Sequence, residues 1–136
     1  PLETPNITYD WYQALLAAFP GRFRLLYASS THDYLLSTFY NDMTNRIYKT
    51  NAGVRGAYYR QLKNMVRWLR DLDPSFSFFI NGWVNPLFTK AQVGTIHTAV
   101  RQPYFYVPWK NGATMASWLI DAVNGNSYDV GMDLLK

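Results

Sequence analysis

The segment VRGAYYRQLKNMVRWLRDL (54–72) constrains this chain more than any other. At about 100° per residue, Tyr59, Leu62, Met65, Val66 and Leu69 fall on one side of a helical wheel. Arg60, Lys63, Arg67 and Arg70 fall within an arc of roughly 80° on the other. A strand would put Arg60 and Leu62 on the same face, so a period of two cannot separate the two sets. The segment is therefore expected to be a helix with one face buried, ended by Asp73-Pro74. The rest of the chain has to supply an apolar surface for that face.

Candidate elements follow from the same kind of pattern. TYDWYQALLAAF (8–19) stacks Trp11, Leu15 and Phe19 at helical spacing and is stopped by Pro20-Gly21. RFRLLYAS (22–29) alternates at first and suits a strand. SSTHDYLLSTFYNDMTNR (29–46) opens with hydroxyl caps and continues as a helix. Two β-favouring runs flank Asn81-Gly82 in FSFFINGWVN (76–85), the signature of a tight hairpin, with Pro86 keeping the second strand short. Thr89 and Gln92 fit a capping box for a helix reaching about Val100. YFYVPW (104–109) reads as a strand, Asn111 as the cap of a helix through Val123, and the last residues as a short helical turn. The expected fold class is α+β: a single domain, 1–136, of about five helices packed around a small antiparallel sheet with one hairpin.

Composition narrows the function classes. Hydrophobic residues make up 49% and aromatics 18%, too apolar for disorder, yet no uninterrupted apolar run approaches the length of a membrane span. Cysteine is absent, which excludes disulfide staples, thiolate catalysis and cysteine-based zinc sites. With two histidines and no ligand spacing, neither a metal nor another cofactor is expected. The net charge of +4 is unevenly spread. Between Asp42 and Asp71 lie Arg46, Lys49, Arg55, Arg60, Lys63, Arg67 and Arg70 with no acidic residue, while the remaining chain is net negative.

Segregated positive charge attracts an anionic partner. Several cations on one helical face can meet successive phosphates together, and Arg adds bidentate contacts. Arg60, Lys63, Arg67 and Arg70 are thus candidate nucleic-acid contacts, with Lys49 and Arg55 flanking them. Docking on an acidic protein surface and a merely solvated face are the alternatives. The stretch DYLLSTFYNDMTNRIYKTNAGVRGAYYRQLKNMVRWLRD (33–71) resembles the DNA-clamping domain of tyrosine recombinases in its helix, linker and basic helix with a Tyr–Leu–Lys–Trp cadence. That resemblance implies DNA contact through the basic helix. It contains no invariant motif, and the strand-like segments elsewhere do not fit that all-helical domain.

The aromatic segments point to another partner class. FSFFINGWVNPLF (76–88) and YFYVPW carry more large apolar side chains than one face of a short sheet can bury. Phe76, Phe78 and Ile80 would point inward and Phe79 outward. Trp83, Phe79, Trp109 and Tyr106 are therefore candidates for an interface with a protein partner or a second copy, as in a structural subunit of a larger assembly.

Catalytic candidates are thinner. Ser29, Ser30, Thr31, His32 and Asp33 adjoin in sequence, but triad members meet through the fold, and a helix N-terminus explains the cluster. His97, with Val93 and Val100 at helical spacing, reads as a histidine bordering a core. Asp71 and Asp73 suit a helix end beside Arg67 and Arg70. The sequence thus leads to a non-enzymatic binding domain that contacts nucleic acid through its basic helix.

Overall fold

The computed structural model describes residues 7–84, 94–101 and 103–136. Its helices and strands follow in the order α1 (Ile7–Ala18), β1 (Leu26–Ser30), α2 (Tyr34–Met43), α3 (Asn51–Leu72), β2 (Ser77–Asn81) and α4 (Met115–Val123). Short 3-10 turns occur at Ala99–Arg101, Pro103–Phe105, Lys110–Gly112 and Met132–Leu135. The class is α+β, with four α-helices among the described residues where about five were expected. The capping box at Thr89 and Gln92 lies outside the described residues. From Gly94 to Thr98 the chain is not helical.

The sheet corrects the sequence reading. β1 and β2 run parallel, in register from Leu26 opposite Ser77 to Ser30 opposite Asn81. Both α2 and α3 lie between them in sequence, and a connection of that length can return the chain in the same direction. The expected hairpin at Asn81-Gly82 is absent because Asn81 has another task. It ends β2, buried, with its amide nitrogen donating to the Ser29 carbonyl at 3.1 Å and its Oδ1 accepting from Trp83 N at 3.3 Å. Val84 instead forms an isolated antiparallel bridge with Thr95. YFYVPW is not a strand either: it begins in the Pro103–Phe105 turn and continues as irregular chain.

Packing explains why β2 is buried at all five positions. Alternate residues point to opposite faces, as expected, but both faces are covered. On one face Phe76, Phe78 and Ile80 meet Leu62, Met65, Val66 and Leu69 of α3, with Tyr12 of α1. On the other, Phe79 packs with Trp83, Ile96, Met115, Trp118 and Val130. The far edge of β2 is also occupied, since Ile80 N donates to Val130 O at 2.8 Å and Val130 N donates to Phe78 O at 2.9 Å. Full burial of each such large side chain contributes about 1.5–3 kcal/mol.

Caps fix where the helices start. Thr50 accepts from Gly53 N at 3.0 Å and opens α3 three residues earlier than its periodicity indicates. Thr114 and Ser117 form a reciprocal capping box that opens α4, displacing Asn111 from that role. Asp33, not the preceding hydroxyls, caps α2 by accepting from Leu36 N at 2.9 Å.

Candidate functional site

The structure divides the cationic stripe. Arg60 and Arg67 are exposed on α3, and Lys49 is exposed just before it. Lys63 lies 4.8 Å above the Tyr59 ring and donates to the Lys136 carbonyl at 3.5 Å. Arg70 is held by a salt bridge to Asp129 and packs over Phe76 and Phe78, at 5.7 and 5.5 Å from their ring centres. Arg55 is buried, its Cδ packed against the backbone at Gly94. Folding thus turns Arg55 and Arg70 toward intramolecular work, and Arg60 and Arg67 remain as exposed cations on the helix face.

The aromatic candidates separate as well. Phe79 is completely buried and Trp83 is 8% exposed, so neither forms a surface within this chain. Trp109 is half-buried and donates through Nε1 to the Ile80 carbonyl at 3.1 Å. Tyr106 alone of the four is largely exposed, at 73%. Exposed apolar side chains lie instead on the outer faces of the helices: Trp11 on α1, Phe39 and Met43 on α2, and Ile120 and Val123 on α4.

A crevice of about 250 Å³ opens where β1 and β2 end. Ser29 and Ser30 close β1, Asn81 closes β2, and Asp33 begins α2, so the parallel register brings all four residues to the same end of the sheet. Segment 94–98 forms the opposite wall. It is docked by Thr95 N on the His32 carbonyl at 3.0 Å and by His32 N on Thr95 Oγ1 at 3.0 Å. Gly94 permits this approach: its φ is +95°, and a Cβ there would stand 2.2 Å from the His32 carbonyl oxygen. His97 then reaches Asp33, with Nδ1 2.8 Å from Oδ2.

Most polar groups in the crevice have a defined partner. Asp33 is 4% exposed and divides its oxygens between the α2 cap and His97. The Ser30 hydroxyl donates to the Ile96 carbonyl at 2.7 Å. Ser29 Oγ lies 3.3 Å from the Tyr58 hydroxyl. Burial pushes the Tyr58 phenol above its usual range, so it stays neutral. Leu36, Ile96, Ala99, Val100 and Met115 complete an apolar wall. Next to His97, Thr98 has a φ of +52°, a backbone region that β-branched residues rarely enter.

Sequence reasoning weighed Asp33 and His97 separately and gave each a structural role. Asp33 does cap a helix, and its second carboxylate oxygen is what the capping argument left unassigned. The two residues are 64 positions apart, and no local spacing joins them. Among the described residues, no cluster of acidic and histidine side chains is arranged to hold a metal ion, and no helix is long and apolar enough to cross a membrane. No protein-family model, curated protein or solved structure matches the chain.

Proposed function

We propose that the chain is a small-molecule-binding domain whose crevice at the carboxyl ends of β1 and β2 carries a proton-accepting histidine, His97, oriented by Asp33. The observation that carries this reading is the 2.8 Å contact between His97 Nδ1 and a buried carboxylate. A carboxylate only accepts, so the bridging proton belongs to Nδ1, and the lone pair of the neutral ring is on Nε2. Base and orienter are two of the roles that proton abstraction requires. Neither serine has its hydroxyl bonded to His97, since Ser30 donates to Ile96 and Ser29 adjoins Tyr58. The base therefore acts on a ligand hydroxyl or on a water molecule, in a reaction of the hydrolytic or proton-transfer class.

Two further features support the reading. Ligands of parallel sheets are bound outside the carboxyl ends of the strands, where this crevice lies. Strained backbone such as that of Thr98 concentrates at functional sites. The test is hydrolysis of 4-nitrophenyl acetate by the native chain, His97→Gln and Asp33→Asn. A positioned general base is worth about 10²–10⁴-fold, so His97→Gln should lose activity by that order. Asn caps a helix as well as Asp does, so Asp33→Asn should keep α2 while losing the carboxylate that orients the ring. A native rate no greater than buffer, or an undiminished rate in His97→Gln, refutes the proposal.

A second reading, nucleic-acid binding, is favoured by the exposure of Arg60 and Arg67, two helical turns apart, with Lys49 nearby. Two helix cations neutralise about two phosphates, so log K against log salt should fall with a slope of about −1.4 to −1.8. Absence of retardation of DNA and RNA at about 50 mM salt refutes it.

A further inference from the structure

The charge and shape of the crevice specify a class of ligand, and this inference rests on the small-molecule reading above. We infer that the crevice takes an uncharged, largely apolar molecule bearing one hydroxyl group, ring-sized with a short arm, and discriminates against carboxylates and phosphates.

Three observations carry this. First, the described residues lining the crevice include no lysine or arginine, and their acidic member is Asp33. An anion entering there would lose its hydration next to a buried carboxylate with no lysine or arginine among the described lining residues to compensate, and desolvated like charges repel strongly. Second, the lining pairs a few polar side chains with an apolar surface. Ser29, Ser30, Asn81, His97 and Thr98 supply the polar groups, while Leu36, Ile96, Ala99, Val100 and Met115 supply apolar contact. A ligand matching this lining is largely apolar and carries few polar groups. Third, three of the lining donors are spent within the protein. The Asn81 amide nitrogen donates to Ser29 O, the Ser30 hydroxyl to Ile96 O, and His97 Nδ1–H to Asp33. With Nδ1 carrying the proton, Nε2 of the neutral ring is an acceptor, so the complementary ligand group donates: a hydroxyl satisfies it and a carboxylate cannot. The volume sets the size. A cavity of about 150 Å³ holds benzene, so about 250 Å³ accommodates a ring with an arm of a few atoms.

Benzyl alcohol, toluene and benzoate share one ring and differ at the polar terminus, which makes them suitable probes. Their binding is followed by NMR on the native chain, from the Met115 methyl group and the His97 ring protons. Benzyl alcohol should shift both sets of resonances saturably and bind about tenfold or more tightly than either other probe, the equivalent of one hydrogen bond to a desolvated partner. In His97→Leu the preference for benzyl alcohol over toluene should vanish while toluene still binds. If none of the three probes shifts the Met115 methyl group, the small-molecule reading itself falls. If benzoate binds as tightly as benzyl alcohol, or if toluene equals the alcohol in the native chain, the crevice stands as a site and the assigned ligand class is overturned.

Discussion

Replacing Trp83 by alanine gives the sharpest test of how this chain uses its aromatic residues. The sequence reading placed Trp83 on an interface, where its loss would weaken association and spare stability. In the fold its ring is 8% exposed and lies 6.0 Å from Phe79, 5.2 Å from Tyr104 and 5.2 Å from Trp109, measured between ring centres. A tryptophan buries about 150–250 Å², worth about 4–6 kcal/mol at 25 cal/mol per Å². The extended-chain reference inflates such figures by roughly 10–40%, and alanine keeps part of the contact, while the ring pairs add about 0.5–1.5 kcal/mol each. The expected loss is about 4 kcal/mol, inside the range of about 3–5 found for buried Trp→Ala changes. Urea unfolding followed by far-UV circular dichroism measures it. At a slope of about 2 kcal/mol per molar, the midpoint should fall by about 2 M with the slope unchanged. A loss below about 1 kcal/mol, together with weaker self-association by sedimentation, would return Trp83 to an interface and refute the packing described for this face of β2.

Leu69 is fully buried on the core face of α3, so Leu69→Ala should cost about 2–5 kcal/mol in the same unfolding assay; a cost under about half a kcal/mol would mean the helix buries its other face. Gly94→Ala would set a methyl group 2.2 Å from the His32 carbonyl oxygen, and it should abolish ester hydrolysis as fully as His97→Gln does, by lifting segment 94–98 away from Asp33. Stability should also fall at both ends of the pH scale, through Tyr12 and Asp73, whose side chains are 2.6 Å apart. Burial, and then the hydrogen bond to Asp73, push the Tyr12 phenol up to about 12. Above about pH 10 the unfolded chain has lost that proton while the folded chain keeps it, so stability falls as pH rises toward 12. Burial alone would raise the Asp73 carboxyl, but hydrogen bonds from Tyr12 and Ser75 and the charge of Arg24 hold it below the usual range. Below about pH 4 the unfolded chain takes up a proton that the folded carboxylate resists, so stability falls there too. Tyr12→Phe should shrink both limbs in urea unfolding from pH 3 to 11, and an unchanged pH profile would contradict the pairing.

Local pattern determined where α1 to α4 form and, for α3, the direction of its faces, whereas the α1 stripe of Trp11, Leu15 and Phe19 is not its buried face: Trp11 and Phe19 are exposed and Tyr12 packs in the core. The wheel that separates Leu62, Met65, Val66 and Leu69 from Arg60 and Arg67 depends only on residue spacing, and the folded helix keeps it. The alternation of β2 was legible for the same reason, since Phe78 and Phe79 do point to opposite faces. What covers the second face was not legible, because Trp118 and Val130 arrive from far along the chain. Strand direction was equally hidden: the Asn-Gly turn signal is local, whereas the parallel register is set by the α2–α3 connection and by the amide of Asn81 bridging to Ser29. Arg70 read as a free cation until folding set Asp129 beside it. The Asp33–His97 pair lies furthest beyond the reach of sequence. Its two members each satisfy a local role alone, and only the close passage of segment 94–98 over the start of α2 brings the imidazole to the carboxylate.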